Sequence, residues 1–139
     1  TVFDGAHNPH AIAALVESLP DVVGQAPLAL VLGVLEDKDA AAMLAALLPS
    51  VERAWFTAPP NSRALSPAAL QSLARQLGFE ATASEPQPSR ALAHAREWAA
   101  ANNGVVLATG SVYLLGDLLG ALARNDGAEE EPVARISAR

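Results

Sequence analysis

Three short segments carry side chains whose types and spacing suit anion and nucleotide chemistry. They are Asp4-Gly5-Ala6-His7-Asn8-Pro9-His10, Gly33 to Asp39, and Thr109-Gly110-Ser111. In the first, Asp4 stands at the end of a β-like run, where a carboxylate can accept both hydroxyls of a ribose. Gly5 and Ala6 remove bulk, so a ligand can approach the backbone. Asn8 can cap a helix with Pro9 in its first position, where a missing N–H is harmless. The start of such a helix offers free N–H groups and a positive dipole end, which favours an anion. His7 lies between these features and can donate to a phosphate or carboxylate oxygen. The same residues also make an ordinary strand end, turn and capped helix with solvated histidines.

Lys38 is the one lysine of the chain, against eight arginines. It follows a buried apolar run and sits between Asp37 and Asp39. A compact ammonium there suits a carboxylate or a phosphate. Ser111 follows a Thr-Gly pair and precedes a helical pattern. It can cap that helix and also offer its hydroxyl, with nearby backbone N–H groups, to a substrate carboxylate. Arg63, in the polar loop Ala58 to Ser66, is a candidate substrate contact, ahead of Asn61. Tyr113 reads as packing, His94 as a mid-helix structural residue, and Trp55 and Trp98 as core. The chain has no GxxxxGK[ST] segment to cradle a triphosphate and no carboxylates spaced for Mg²⁺, so no metal ligand is assigned.

The elements that must position these groups alternate strand and helix. Val2-Phe3 leads to a helix with Ile12, Leu15, Val16 and Leu19 on one face, closed by Pro20. Leu28 to Leu35 is a continuous apolar run, the mark of a strand buried on both faces. Asp37 or Asp39 caps a helix with Ala40, Met43, Leu44, Leu47 and Leu48, ended by Pro49. Ala54 to Thr57 is a third strand. Ser66-Pro67 opens a helix with Leu70, Leu73 and Leu77, stopped by Gly78. Glu80 to Ser84 is a weak strand. Ser89 can cap a helix to about Ala101, with Leu92, Ala95, Trp98 and Ala99 inward. Val105 to Thr109 is a fifth strand, and Leu114, Leu115, Leu118, Leu119 and Leu122 stripe the last helix.

Strict alternation implies a parallel sheet of about five strands with helices on both faces, a three-layer α/β/α domain. Ligands then bind beyond the carboxyl ends of the strands, where all three segments fall. The 139 residues suit one domain, read as 1–123, with a solvated, disordered tail over 124–139. Half the residues are apolar but only 4% aromatic, so Leu, Val and Ala must build the core. A net charge of −6 argues against nucleic acid as the main partner. Absence of cysteine excludes disulfides and thiol chemistry. No run suits a membrane span and no signal peptide is visible, so a cytoplasmic location is expected. The chain opens inside a strand without Met, as a fragment of a longer protein would.

The motif DGAHNPHA (Asp4 to Ala11) resembles the signature of folylpolyglutamate synthases and dihydrofolate synthases, relatives of the Mur cell-wall ligases. Gly33-Val34-Leu35-Glu36-Asp37-Lys38-Asp39 resembles that family's GxLxDKD, and Ala108-Thr109-Gly110-Ser111-Val112-Tyr113-Leu114 its TGSLYL. Ala58 to Leu65 resembles its P…RAL segment more loosely. The resemblance covers nearly all of Thr1 to Ala123. It implies the C-terminal α/β domain of an ATP-dependent ligase that joins L-glutamate to dihydropteroate or folate through an acyl phosphate. It implies strand order 1-5-2-3-4, with an antiparallel edge strand cut off before the first strand, which would leave that strand's edge open. The alternatives are orders 3-2-1-4-5 and 2-1-3-4-5. It implies Asp4 on the ribose of ATP, His7 near the phosphates as the catalytic group, and Lys38, Ser111 and Arg63 on glutamate. ATP and Mg²⁺ would be held mainly by an N-terminal ATPase domain of the same polypeptide, leaving the isolated chain inactive. A Mur cell-wall amino-acid ligase and a non-catalytic α/β module are the competing readings.

Overall fold

The computed structural model describes residues 1–124 and the backbone of 134–136. Its strands are β1 (Val2–Asp4), β2 (Leu28–Leu32), β3 (Arg53–Phe56), β4 (Thr82–Ser84), β5 (Val105–Thr109) and β6 (Ala134–Ile136). Its helices are α1 (Pro9–Val23), α2 (Ala40–Leu47), α3 (Pro67–Gln76), α4 (Pro88–Asn102) and α5 (Val112–Arg124). The sheet runs β4-β3-β2-β5-β1-β6, and every pairing is parallel. The expected order 1-5-2-3-4 therefore holds.

Side chains alternate across a strand, and β2 sorts the core accordingly. Leu28, Leu30 and Leu32 pack with Ile12 and Leu15 of α1, Met43 and Leu44 of α2, and Leu70 and Ala74 of α3. Ala29 and Val31 pack with Ala91, Leu92 and Ala95 of α4 and Leu114 and Leu118 of α5. Helices α1, α2 and α3 thus cover one face, and α4 and α5 the other. From β1 the chain leaves over the first face toward β2. From neighbouring β5 it leaves over the second face in the opposite direction, toward β6. Such a reversal opens a crevice outside the carboxyl ends of the two strands.

Several local expectations need correction. Pro20 does not end α1: the helix continues to Val23 and stops at Gly24, whose N–H donates to the Pro20 carbonyl at 3.0 Å. Pro20 lies on an exposed flank, where its missing N–H is tolerated. Ser89 does not cap α4. Pro88 takes the first helical position, and Gln87 stands before it without a side-chain cap. Leu77 lies beyond the last residue of α3 and is exposed. Trp55 is buried under the Arg53 guanidinium, 5.3 Å from its ring, whereas Trp98 is only partly buried.

The largest departure is at the sheet edge. The edge of β1, expected to be open, pairs with β6 in parallel register, Val2 with Ala134 and Asp4 with Ile136. The expected disordered tail otherwise falls on 125–133 and 137–139, outside the described residues.

Candidate functional site

The three motif loops follow β1, β2 and β5, which are neighbours in the sheet. Hydrogen bonds tie them together. The Ala6 carbonyl accepts from Gly110 N–H at 3.0 Å and from the Thr109 hydroxyl at 3.4 Å. Gly33 N–H donates to the Thr109 carbonyl at 3.4 Å. Gly110 makes this approach possible. Its φ is +110°, and a Cβ there would strike the Gly33 carbonyl oxygen.

Asp4 ends β1 with its side chain buried at 1% exposure, and its Oδ1 accepts from Ala6 N–H at 2.8 Å. Its visible work is to shape the Gly5–His7 turn, and it does not line the cleft described below. His7 Nδ1 lies 3.0 Å from the Gly5 carbonyl. A carbonyl only accepts, so Nδ1 carries a proton. Nε2 is then an acceptor in the neutral ring and a donor only in the imidazolium. Asn8 caps α1 as expected, its Oδ1 accepting from Ala11 N–H at 2.8 Å.

Ser111 is buried, and its Oγ accepts from Tyr113 N–H at 3.1 Å and Leu114 N–H at 3.4 Å. It is therefore the cap of α5, with its own O–H still able to donate. In the second loop Asp39, not Asp37, caps α2, accepting from Ala42 N–H at 3.1 Å. Asp37 instead reaches Arg63, with Oδ2 3.2 Å from Nη2, and lies 4.0 Å from Lys38 Nζ.

His7, Lys38 and Ser111 line one cleft of about 230 Å³, closed by Leu35, Gly110, Val112 and Tyr113. Arg63 and Asn61 do not reach it. Asn61 accepts from Arg63 N–H at 2.8 Å and shapes their own loop. Exposed His10 and His94 also stand apart from it. Tyr113, read from the sequence as packing, instead lines the cleft, as does Val112, for which sequence reasoning assigned no role. Both are half exposed in the first turn of α5. The available signal was that both fall off the leucine stripe of that helix. A larger groove of about 500 Å³, lined by Thr1, Arg96, Gly104 and Val105, lies at the opposite, amino ends of β1 and β5. The motif loops do not reach it.

A family model described as the Mur ligase, glutamate ligase domain matches residues 1–112. This chain belongs to that family. A folylpolyglutamate synthase from Mycobacterium tuberculosis, complexed with ADP and AMPPCP, superposes with a TM-score of 0.76 at 31% identity, over 94% of this domain and 30% of that chain. Escherichia coli FolC in complex with DHPP and ADP gives a TM-score of 0.69 at 25% identity, over 87% and 28%. The bifunctional folylpolyglutamate synthase/dihydrofolate synthase of Yersinia pestis, complexed with AMPPNP and Mn ion, gives 0.72 at 30%, over 86% and 27%. This Mur ligase domain thus spans under a third of the length of these enzymes. No curated protein matches it.

A nucleotide is present in all three of these structures and Mn ion in the last. His7, at the cleft wall and at the mouth of capped α1, fits an anionic oxygen. Among the described residues no three His, Asp or Glu side chains gather as a metal site. Among the described residues no helix is long and apolar enough to cross a membrane.

Proposed function

We propose that this domain holds the amino-acid substrate, L-glutamate, in an ATP-dependent ligase that extends dihydropteroate or folate. ATP would convert the folate carboxylate to an acyl phosphate, and the glutamate amine would attack it, form the amide and release phosphate. What supports this reading is one juxtaposition. Lys38, the buried Ser111 hydroxyl and His7 face a single cleft at the reversal point of the sheet. Its volume of about 230 Å³ suits a small amino acid, and among the described residues no carboxylate lines it.

In this reading Lys38 pairs with a glutamate carboxylate, and the Ser111 hydroxyl donates to it beside the α5 amino terminus. His7, with Nδ1 committed to the Gly5 carbonyl, presents Nε2 toward a phosphate oxygen. Asp4 meets the ribose through the edge of the turn it shapes. Arg63 enters through Asp37 rather than through the cleft wall. The phosphate loop and metal would come from an N-terminal ATPase domain, so the domain alone would be inactive.

The test is steady-state kinetics of Lys38→Ala in the full-length polypeptide. We expect kcat/KM for glutamate to fall at least about tenfold, as for loss of a charge-assisted contact, with ATP dependence retained. An unchanged glutamate dependence removes Lys38 from the site.

A further inference from the structure

Asp37 is the only carboxylate found to contact Lys38 among the described residues, and it is shared with a second cation. Its Oδ2 lies 3.2 Å from Arg63 Nη2, well within ion-pair range, but 4.0 Å from Lys38 Nζ, the outer limit of an ion pair. The arrangement is held by backbone, not by chance meeting of two long side chains. Glu36 N–H donates to the Arg63 carbonyl at 2.7 Å, and Leu65 N–H to the Val34 carbonyl at 2.8 Å. Leu35 and Ala64 form an antiparallel bridge along the same seam. The loop carrying Arg63 is therefore stitched to the loop carrying Asp37 and Lys38. Lys38 lines the cleft, and neither Asp37 nor Arg63 does.

We propose that Arg63 is a positioning residue. It occupies Asp37 so that this carboxylate does not compete with an incoming carboxylate for Lys38. The proposal rests on the reading of Lys38 as a carboxylate receptor, and it replaces direct contact between Arg63 and substrate. The other anions nearby do not substitute for Asp37. Glu36 is exposed, and Asp39 is engaged by the α2 amino terminus. Without Arg63, the nearest cation left to Asp37 is Lys38. Its ammonium would be drawn from the cleft wall toward its own neighbour. An exposed ion pair is a weak competitor, so the expected change in ligand affinity is about two- to fivefold.

The design that separates the two roles of Arg63 is a rescue. L-Glutamate is titrated into the 139-residue chain at low ionic strength, where surface pairing is least screened. Amide shifts of Lys38, Gly110 and Ser111 are followed by NMR. Arg63→Ala should weaken binding by about two- to fivefold. Asp37→Asn added to Arg63→Ala should restore it, because the competing anion is gone. A direct substrate contact would not be rescued, so an unrestored double variant overturns the proposal, as does an unaffected Arg63→Ala.

A ligand-free readout is available because Lys38 is the only lysine. Acylation needs an accessible amine, and a Lys38 side chain drawn onto Asp37 presents its nitrogen less to the reagent. Acetylation of Lys38 by acetic anhydride, followed by peptide mass spectrometry, should be slower in Arg63→Ala and return in the double variant. Equal rates in all three proteins overturn the coupling. A glutamate response that survives Lys38→Ala overturns instead the glutamate reading of the cleft, while the labelling rates still decide whether Arg63 governs Asp37.

Discussion

Gly110 has room for no side chain. Its φ of +110° is a region L-residues rarely enter, and the Gly33 carbonyl oxygen and Leu32 occupy the space a Cβ needs. Gly110→Ala should cost about 2–4 kcal/mol in urea unfolding, from backbone strain plus the clash. Gly116, in the middle of α5 with open space around it, is the control. Gly116→Ala should stabilise by about 0.5–1 kcal/mol. If both variants were neutral, the close approach of the loops after β2 and β5 would be wrong. Much of the site at this scale is legible in sequence, because a capping residue announces itself by position: Asn8 and Ser111 both do what local rules require. Asp4 is less legible. A strand-end carboxylate reads as open to the crevice, whereas its Oδ1 turns back on Ala6 and the residue is buried. The Asp37–Arg63 pair could not be read at all, since it joins two loops whose proximity depends on β2 and β3 pairing.

The elements followed from periodicity where the apolar pattern was long. β2 and β5, five residues each, are buried almost throughout. The stripe of α1 is buried at Ile12, Leu15 and Leu19. Errors cluster at ends. Proline marks a break by rule, yet Pro20 sits inside α1 and Pro88 starts α4 ahead of the better-looking cap Ser89. β6 carries no apolar run to reveal it. Ala134, Arg135 and Ile136 form a strand through their pairing with β1. That dependence is testable. Deleting residues 134–139 should leave the fold intact and raise amide exchange at Val2, Phe3 and Asp4, with β2 amides unchanged. Unaltered protection of β1 would mean that β6 contributes nothing to it.

For the molecule as a whole, the sheet divides the apolar interior into two clusters with no helix in common. Leu44 lies in the first and Leu118 in the second, and both are fully buried. Helices packed on opposite faces of a sheet are about 20 Å apart, too far to share a cavity. Leu44→Ala and Leu118→Ala should each cost about 2–5 kcal/mol. Because the sites are independent, the double variant should match their sum within about 0.5 kcal/mol in denaturant unfolding. A markedly smaller combined loss would mean that the two layers relax as one core.

The pairing of β1 with β5 also bears on the order in which the protein is made. The bond from the Thr109 hydroxyl to the Ala6 carbonyl joins residues 103 apart. On a growing chain, β2, β3 and β4 can pair as they emerge, each with its sequence neighbour. β1, though made before them, has no neighbour in the sheet until β5 inserts between it and β2. Closing so long a loop is slow and entropically unfavourable. The crevice thus forms only once β5 is in place. A nascent or truncated chain lacking β5 can hold a partial sheet while Lys38, His7 and Ser111 remain strangers, so ligand competence reports that β5 has joined the sheet.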